Sequence, residues 1–259
     1  MEYEANKKLI GIIGGMGPMA GVNLSEMIIN ETIAIKDQDH LPQVLLSVPQ
    51  NIADRTEFIL GSVSENPAHA IFSMLKKLGL LGVTVAGIAC NSAHAPAIFN
   101  VVIDELNKSK MKLKLLNMIE EVAKVIKLEF NGVNRVGMLA TTGTVKAGQY
   151  QLLEDYGLKV VYPTEAVQKK IHQAIYHPDY GIKSVTGSIS FKSRQQLENA
   201  TRSLIYEKVE VIVLGCTELS LAYKTNNFGG VPLIDSNRVL ARALIRAIDP
   251  SKLKPWRQK

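Results

Sequence analysis

Short apolar runs rich in β-branched residues alternate along the chain with longer segments whose apolar residues recur at helical spacing. The short runs have the length and composition of buried strands and cover residues 9–13, 44–48, 83–88, 135–139, 159–162 and 209–214. Helical spacing covers residues 20–34, 68–78, 96–107, 194–207 and 238–248. Strands that alternate with helices are typical of helical layers around parallel sheets, so the pattern predicts an α/β fold.

Two pairs of landmarks share one separation along the chain. The segments 11–17 and 137–143 each begin and end with glycine at the end of a predicted strand, and they lie 126 positions apart. Cys216 also follows Cys90 by 126 positions, and each cysteine ends a predicted strand. A common spacing without a gap predicts two similar α/β domains with parallel sheets, related by a pseudo-twofold axis.

The domain boundaries follow from this repeat. We assign residues 1–117 and 231–259 to the first domain, with the C-terminal helix packed back on it, and residues 118–230 to the second. In open α/β sheets, ligand sites lie beyond the carboxyl ends of the strands. Two facing domains would therefore place Cys90 and Cys216 on opposite walls of one interdomain cleft, and the sequence predicts the active site there.

Composition and charge restrict the class of protein. Of the 259 residues, 46% are hydrophobic and 21% charged, which is typical of a globular protein. The net charge is +6, but the basic residues are scattered, and the densest cluster (Lys252, Lys254, Arg257, Lys259) is interpreted as solvated surface. No apolar run approaches the ~20 residues of a membrane helix, and residues 9–13 are too few for a signal-peptide core. We therefore predict a cytoplasmic protein with reduced thiols and without nucleic-acid or membrane partners.

The glycine-rich turn Gly15-Met-Gly17-Pro-Met-Ala20 formally fits the G-x-G-x-x-G/A pattern of dinucleotide sites. That pattern also requires an acidic residue at the end of the next strand, and here residues 47–50 read Ser-Val-Pro-Gln. Pro18 has no N–H with which to bind an anion. We therefore favour a tight turn, centred on Met16, that lines a small-molecule site.

The two cysteines carry the candidate chemistry. A single buried cysteine is most often a core residue, but two at equivalent strand ends indicate a function. Each precedes residues that can cap a helix, and a thiol at a helix N-terminus has a lowered pKa, which populates the thiolate. A zinc site would need three or four close ligands, and the required Cys/His spacing is absent, so we predict no metal.

Several motifs, in order along almost the whole chain, resemble the aspartate/glutamate racemase family. They are Gly11–Gly17-Pro18, Gln38-Asp-His40, Pro49-Gln-Asn-Ile-Ala-Asp-Arg55-Thr56, Cys90-Asn-Ser-Ala-His94, Gly137-Met-Leu-Ala-Thr-Thr-Gly-Thr144, Gly181-Ile-Lys183 and Gly215-Cys-Thr-Glu-Leu219. The resemblance implies a two-domain α/β protein, often a homodimer, with its active site between the domains. Many members have Asn-Thr after the first cysteine, where this chain has Asn91-Ser92, and serine keeps the hydroxyl.

The resemblance favours cofactor-independent racemisation of aspartate or glutamate, because related enzymes with one of the two cysteines isomerise or decarboxylate instead. Inverting an α-carbon without a cofactor needs a base on one face and an acid on the other, and a thiolate and a thiol meet that need. Backbone N–H groups after the cysteines would hold the α-carboxylate. Further hydrogen bonds to the substrate, or ordinary capping, are expected of Asn91, Ser92, Thr142, Thr144 and Thr217.

The resemblance also assigns charged residues. Arg55 would bind the distal carboxylate with its planar fork, unless it is a surface arginine. Lys183 lies in a segment that resembles one bearing a substrate-contacting lysine. His94 and Glu218 either tune the nearby cysteines or serve as a packed histidine and a cap. Alternative functions are a racemase of broader or non-acidic specificity, a maleate-type isomerase, and a non-catalytic amino-acid-binding protein.

Overall fold

Two β-sheets form the centre of the structure, a computed structural model that describes residues 8–185, 189–223 and 225–256. Arg257 and Lys259 of the predicted basic tail lie outside the described residues. Helices flank both sheets, and the predicted α/β fold with two parallel-dominated sheets is confirmed. Among the helices of the described ranges, none has the length and hydropathy needed to span a bilayer.

The first sheet contains four parallel strands in the order β2-β1-β3-β4. The strands are β1 (Leu9–Gly14), β2 (Gln43–Ser47), β3 (Val83–Ile88) and β4 (Lys114–Leu115). The accompanying helices are α1 (Pro18–Glu31), α2 (Arg55–Ile59), α3 (Ala68–Leu80) and α4 (Pro96–Ser109). β1 and β3 are buried over nearly their whole length, which is typical of parallel strands covered on both faces.

The second sheet has the order β6-β5-β7-β9-β8, with an antiparallel pairing between β8 and β9 at one edge. The strands are β5 (Arg135–Ala140), β6 (Lys159–Val161), β7 (Val211–Gly215), β8 (Asn227–Phe228) and β9 (Val231–Asp235). The accompanying helices are α5 (Met118–Glu129), α6 (Thr142–Ala147), α7 (Glu165–Tyr176), α8 (Phe191–Tyr206) and α9 (Ser236–Ile248). Short 3-10 helices occupy Asp37–Asp39, Pro49–Asn51, Ser92–His94, Gln149–Tyr156, Thr217–Leu221 and Pro250–Lys252.

The internal repeat extends to strand order. β5 begins and ends 126 positions after β1, and the order β6-β5-β7 repeats the order β2-β1-β3. Cys90 follows β3 and Cys216 follows β7, so the two cysteines occupy equivalent places in the two sheets. The spacing read from the sequence therefore reflects two sheets of similar topology.

The C-terminal segment contacts both halves of the molecule. Residues 231–235, which the sequence analysis assigns to the first domain without predicting a strand there, form β9 and hydrogen-bond to β7 in the second sheet. Pro232 obscures this strand in the sequence because proline cannot donate to a strand ladder. α9 packs against the first sheet at Gly87, where an added Cβ would lie 3.0 Å from Leu240 and 3.1 Å from Leu244. It also packs against α1 and α5, and so joins the two halves.

Candidate active site

A cleft lies where the carboxyl ends of strands from both sheets face each other. Its lining residues are Met16, Arg55, Cys90, Asn91, Ser92, Thr141, Tyr176, Lys183, Cys216, Thr217 and Glu218. Both cysteines are free, and each is 5% exposed. We call Arg55, Cys90, Asn91 and Ser92 the Cys90 wall, and Lys183, Cys216, Thr217 and Glu218 the Cys216 wall. Within the described ranges, no group of three or more His, Cys, Asp or Glu side chains is arranged to hold a metal ion.

A 3-10 turn separates Cys90 from the next α-helix, which begins at Pro96 as the helical spacing predicts. Ser92–His94 forms a 3-10 turn, and α4 begins at Pro96. Because proline has no N–H and a fixed φ, it is favoured in the first turn of a helix. Cys90 therefore precedes a 3-10 turn, whereas the sequence analysis expects it at the N-terminus of a helix.

His94 lies behind the Cys90 wall and does not line the cleft. Its Nδ1 is 2.9 Å from the carbonyl oxygen of Cys90, and its ring stacks on Phe99 with centroids 4.9 Å apart. Burial lowers the pKa of His94 to about 4. The imidazole is therefore neutral at physiological pH, as expected of a histidine packed beneath a site.

Arg55 is buried, so the alternative of a surface arginine is wrong. Asp54 caps the N-terminus of α2 by accepting a hydrogen bond from Glu57 N–H, and this turns the next residue into the cleft. The guanidinium donates to the carbonyls of Ala53 (3.1 Å) and Met16 (3.3 Å). Burial lowers the pKa of Arg55, but the nearby Cys90 and Asp54 side chains raise it, and the net shift is upward. Arg55 thus brings a permanent positive charge to the Cys90 wall.

Four donors converge on the carboxylate of Glu218 in the Cys216 wall. Cys216 Sγ donates to Oε2 at 3.1 Å, and Thr217 Oγ1 donates to Oε2 at 3.2 Å. Gly17 N–H donates to Oε1 at 3.1 Å, and Lys183 Nζ forms an ion pair with the same oxygen. Glu218 is 5% exposed, so these contacts compensate the burial of its charge.

The electrostatics of the Cys216 wall oppose the prediction of a lowered thiol pKa. Burial and the neighbouring carboxylate of Glu218 hold the pKa of Cys216 well above its ordinary value, although Lys183 opposes them. Burial raises the pKa of Glu218, but Lys183 and the other donors lower it by a larger amount, so the net shift is downward. A 3-10 helix, not an α-helix, follows Cys216. The wall therefore holds a thiol beside an ionised carboxylate.

A tight reversal after α7 brings Lys183 into the cleft. Ile182 N–H and Lys183 N–H donate to the carbonyls of Ala174 and Ile175, both at 3.0 Å. Gly181 permits this reversal, because an added Cβ would lie 2.5 Å from the backbone nitrogen of His177. The motif Gly181-Ile-Lys183 thus has a steric reason for its glycine.

The glycine turn after β1 presents backbone to the cleft. Gly15 has φ +88°, in the region that favours glycine, and an added Cβ would lie 3.1 Å from Pro49 N. Met16 is buried and lines the cleft, and Gly17 donates its N–H to Glu218. The turn therefore contributes to a small polar site, as proposed from the sequence.

The threonine-rich segment after β5 has its predicted place but a different lining residue. Thr141, the N-cap of α6, lines the cleft, whereas Thr142 is not among the lining residues. Thr144 lies behind Ser92, and their hydroxyl oxygens are 3.1 Å apart. The 126-residue spacing pairs Thr141 with Gly15, and this signal could have identified it.

Tyr176 is a lining residue that the sequence analysis missed. Its ring lies 5.6 Å from Lys183 Nζ, and its hydroxyl is 3.3 Å from Thr56 Oγ1. Burial raises the pKa of Tyr176 to about 12. Tyr176 is the last residue of α7, and its own neighbours in the sequence give no signal of the role.

The sequence and the fold are similar to those of known proteins. The profile of the Asp/Glu/Hydantoin racemase family matches residues 13–244. The structure of Picrophilus torridus aspartate racemase is similar, with a TM-score of 0.79 and 33% identity over 95% of this chain and 96% of that one. A glutamate racemase from Carboxydothermus hydrogenoformans is 29% identical over 67% of this chain and 59% of its own length. A glutamate racemase from Pseudomonas putida is 26% identical over 93% of this chain and 80% of its own length.

Proposed function

Because the chain belongs to the Asp/Glu/Hydantoin racemase family and is an amino-acid racemase, we propose that it inverts aspartate or glutamate with Cys90 and Cys216 as acid and base. The observation that carries the proposal is one cleft lined by a free cysteine from each half and by two cationic side chains, Arg55 and Lys183. Relatives named as aspartate and glutamate racemases support an acidic substrate. Both cysteines belong to one chain, so neither has to come from a partner in the homodimer implied by the resemblance.

The charges around the two thiols support different resting roles. Cys216 lies beside the carboxylate of Glu218, which favours the protonated thiol. Cys90 lies beside the guanidinium of Arg55, so the two thiols face opposite charges. In this proposal the Cys90 thiolate removes the α-hydrogen of one enantiomer, and the Cys216 thiol delivers a proton to the opposite face. The other enantiomer uses the reverse arrangement. One turnover leaves Cys90 as the thiol and Cys216 as the thiolate, so proton exchange with water restores the starting states before the next turnover in the same direction.

The polar groups of the cleft support the binding of a substrate with two carboxylates. Arg55 is held by backbone carbonyls, and its nearest described acidic partner, Asp54, is 3.8 Å away, so a distal carboxylate would complete its planar fork. Backbone N–H groups after the two cysteines, that of Asn91 included, and the hydroxyls of Ser92 and Thr217 would hold the α-carboxylate, where negative charge develops. Lys183 would exchange part of its contact with Glu218 for the substrate. The proposal needs no cofactor.

A chiral exchange assay tests the proposal. Each enantiomer of aspartate, of glutamate and of several neutral amino acids is incubated with the protein in deuterated water. The products are separated on a chiral column, and their deuterium content is measured by mass spectrometry. We expect the antipode of an acidic amino acid to carry one deuterium at its α-carbon. Chelators and carbonyl reagents should leave the rate unchanged, whereas alkylation of the thiols should abolish it.

The same assay distinguishes the alternatives. A maleate-type isomerase or a non-catalytic binding protein would form no deuterated antipode, and either outcome would refute the proposed activity. Faster turnover of neutral amino acids would refute the acidic substrate but not racemisation. The matched control is a variant without both cysteines (Cys90→Ala with Cys216→Ala), which should melt cooperatively and show no exchange.

A further inference from the structure

A buried hydrogen-bond chain joins the two strand ends that carry the cysteines. Asn91, directly after Cys90, donates from Nδ2 to Ser236 Oγ at 3.0 Å. Ser236 Oγ donates in turn to the carbonyl oxygen of Leu214 at 2.8 Å, and Leu214 lies two residues before Cys216. Tyr150 donates its hydroxyl to Asn91 Oδ1 at 2.5 Å. We call these four residues the Asn91 bridge.

The donors and acceptors of the Asn91 bridge have one consistent direction. The carbonyl of Leu214 can only accept, so the Ser236 hydroxyl donates to it and accepts from Asn91. The amide nitrogen of Asn91 must therefore face Ser236, and its oxygen faces Tyr150. Burial raises the pKa of Tyr150 far above neutrality, so the phenol keeps the proton that it donates. The orientation of the Asn91 amide is thus determined by a backbone carbonyl of the other half.

The bridge spans the two halves of the molecule. Asn91 follows β3 of the first sheet, whereas Leu214 belongs to β7 of the second and Ser236 begins α9. Gln149 Nε2 also donates to the carbonyl of Asn91 at 3.1 Å, so backbone and side chain are both held from the other half. Asn91, Tyr150 and Ser236 are each at most 2% exposed, so water does not compete for these bonds.

We infer that the Asn91 bridge sets the spacing of the Cys90 and Cys216 sulfurs, with Ser236 and Tyr150 as positioning residues. The inference rests on the proposed two-thiol function, in which both sulfurs must reach one α-carbon from opposite faces. A displacement of ~1 Å at a reacting group can cost on the order of 100-fold in rate. The cleft lies between the two halves, and the bridge ties the two strand ends directly.

Three variants and one matched control test the inference. Ser236→Ala removes the middle of the bridge, Tyr150→Phe removes its last donor but keeps the ring, and a double variant combines them. Each single change should lower kcat at least about tenfold and alter KM less than about twofold, because binding groups remain while the sulfurs are displaced. The kcat of the double variant should fall no further than that of the single variant with the larger loss, because both changes break the same chain of bonds. Tyr223→Phe removes another tyrosine hydroxyl bond, to Thr201 at 2.6 Å outside the cleft, and should keep the parental kcat.

Melting temperatures, crystal structures and the activity of the parent protein distinguish the possible outcomes. A purely structural role would lower the melting temperature of all variants, Tyr223→Phe included, without a selective loss of kcat, and would overturn the inference. Parental kcat in Tyr150→Phe, or losses that add in the double variant, would also overturn it. Should Ser236→Ala fail to fold, Tyr150→Phe alone decides. If the parent racemises no amino acid, the proposed function fails, and the inference is then decided by crystal structures alone. An equal distance between the two sulfurs in the parent and in Tyr150→Phe overturns the inference.

Discussion

The Cys90 wall and the Cys216 wall have equivalent positions in the fold and opposite electrostatics. Each cysteine follows the corresponding strand of its sheet, β3 or β7. Cys90, however, lies beside the guanidinium of Arg55, whereas Cys216 donates to the carboxylate of Glu218. An internal repeat has therefore preserved where the thiols lie but not the charges around them.

The support behind the two walls differs as well. His94, behind Cys90, is buried and neutral, with its pKa lowered by burial to about 4. Glu218, beside Cys216, is ionised through its pair with Lys183. In a buried site, a neighbouring carboxylate disfavours the ionisation of a thiol, as at Cys216. A symmetric backbone thus carries two thiols in different electrostatic surroundings.

Removing either thiol should have the largest effect on racemisation. Cys90→Ser and Cys216→Ser should each lower the racemisation kcat at least about 1000-fold, because general acid–base catalysis supplies ~10²–10⁴ and every turnover needs both faces. Chiral chromatography measures the loss. With a substrate that has a leaving group at the β-carbon, one variant should eliminate mainly from the L form and the other mainly from the D form. Near-parental racemisation by either variant would refute the two-thiol mechanism.

Changing the cation of the Cys90 wall should have the next largest effect. Arg55→Lys keeps the charge but loses the planar fork, so kcat/KM for aspartate or glutamate should fall about 10-fold to 100-fold. The control is Arg194→Lys, at an arginine that donates to the carbonyl of Ala222 outside the cleft, and it should behave like the parent. Unchanged kinetics in Arg55→Lys would mean that Arg55 does not bind the distal carboxylate, and a neutral amino acid would become the better candidate substrate.

Neutralising the carboxylate of the Cys216 wall should change the pH dependence of kcat/KM. The Glu218 carboxylate raises the pKa of Cys216, so Glu218→Gln should lower that pKa, all the more because Lys183 then lacks its partner. Cys216 must be protonated to act as the acid, so the alkaline limb of kcat/KM should move to lower pH, with a loss of about tenfold on that limb. The shift should be equal in both directions, because the equilibrium constant of racemisation is one.

The thiol itself can be followed in the same variant. The alkylation rate of Cys216, measured against pH in a Cys90→Ser background, should rise at lower pH once Glu218 is Gln. Glu65→Gln, at an exposed position, is the control and should leave both profiles in place. An alkaline limb that stays at the parental pH would contradict the assigned role of Glu218.

The smallest effect is expected at His94, where activity should change little but the pH dependence of stability should change. The folded pKa of His94 is about 4, below the ~6.5 of an unfolded histidine, so the unfolded chain binds more protons between these values. Stability should therefore fall as the pH falls from neutrality, with His94 contributing about 1 to 2 kcal/mol of loss by pH ~5. Urea unfolding at both pH values should show this slope reduced in His94→Gln but kept in His69→Gln, at an exposed histidine. An equal slope in parent and His94→Gln would contradict the neutral assignment.

Much of this molecule is readable from local pattern. Apolar periodicity predicts β1, β3 and β5 closely, because central parallel strands are buried on both faces and need continuous apolar runs. The 126-residue spacing predicts two similar sheets, and the two Cys motifs together with Gly181-Ile-Lys183 indicate the family. These features depend on residues that are neighbours in the chain, or on a repeat that copies such neighbours.

Tertiary structure alone decided the partners and the charges. Glu218 meets Lys183, 35 positions away, and Asn91 meets Ser236, 145 positions away. Tyr176 enters the cleft, and β9 joins the second sheet, through contacts that no local pattern encodes. The predicted lowering of the Cys216 pKa was wrong because a pKa depends on burial and on which charges fold against the group. Periodicity and spacing record the backbone's local geometry, whereas ionisation and hydrogen-bond direction are set by distant residues brought together in a medium from which water is excluded.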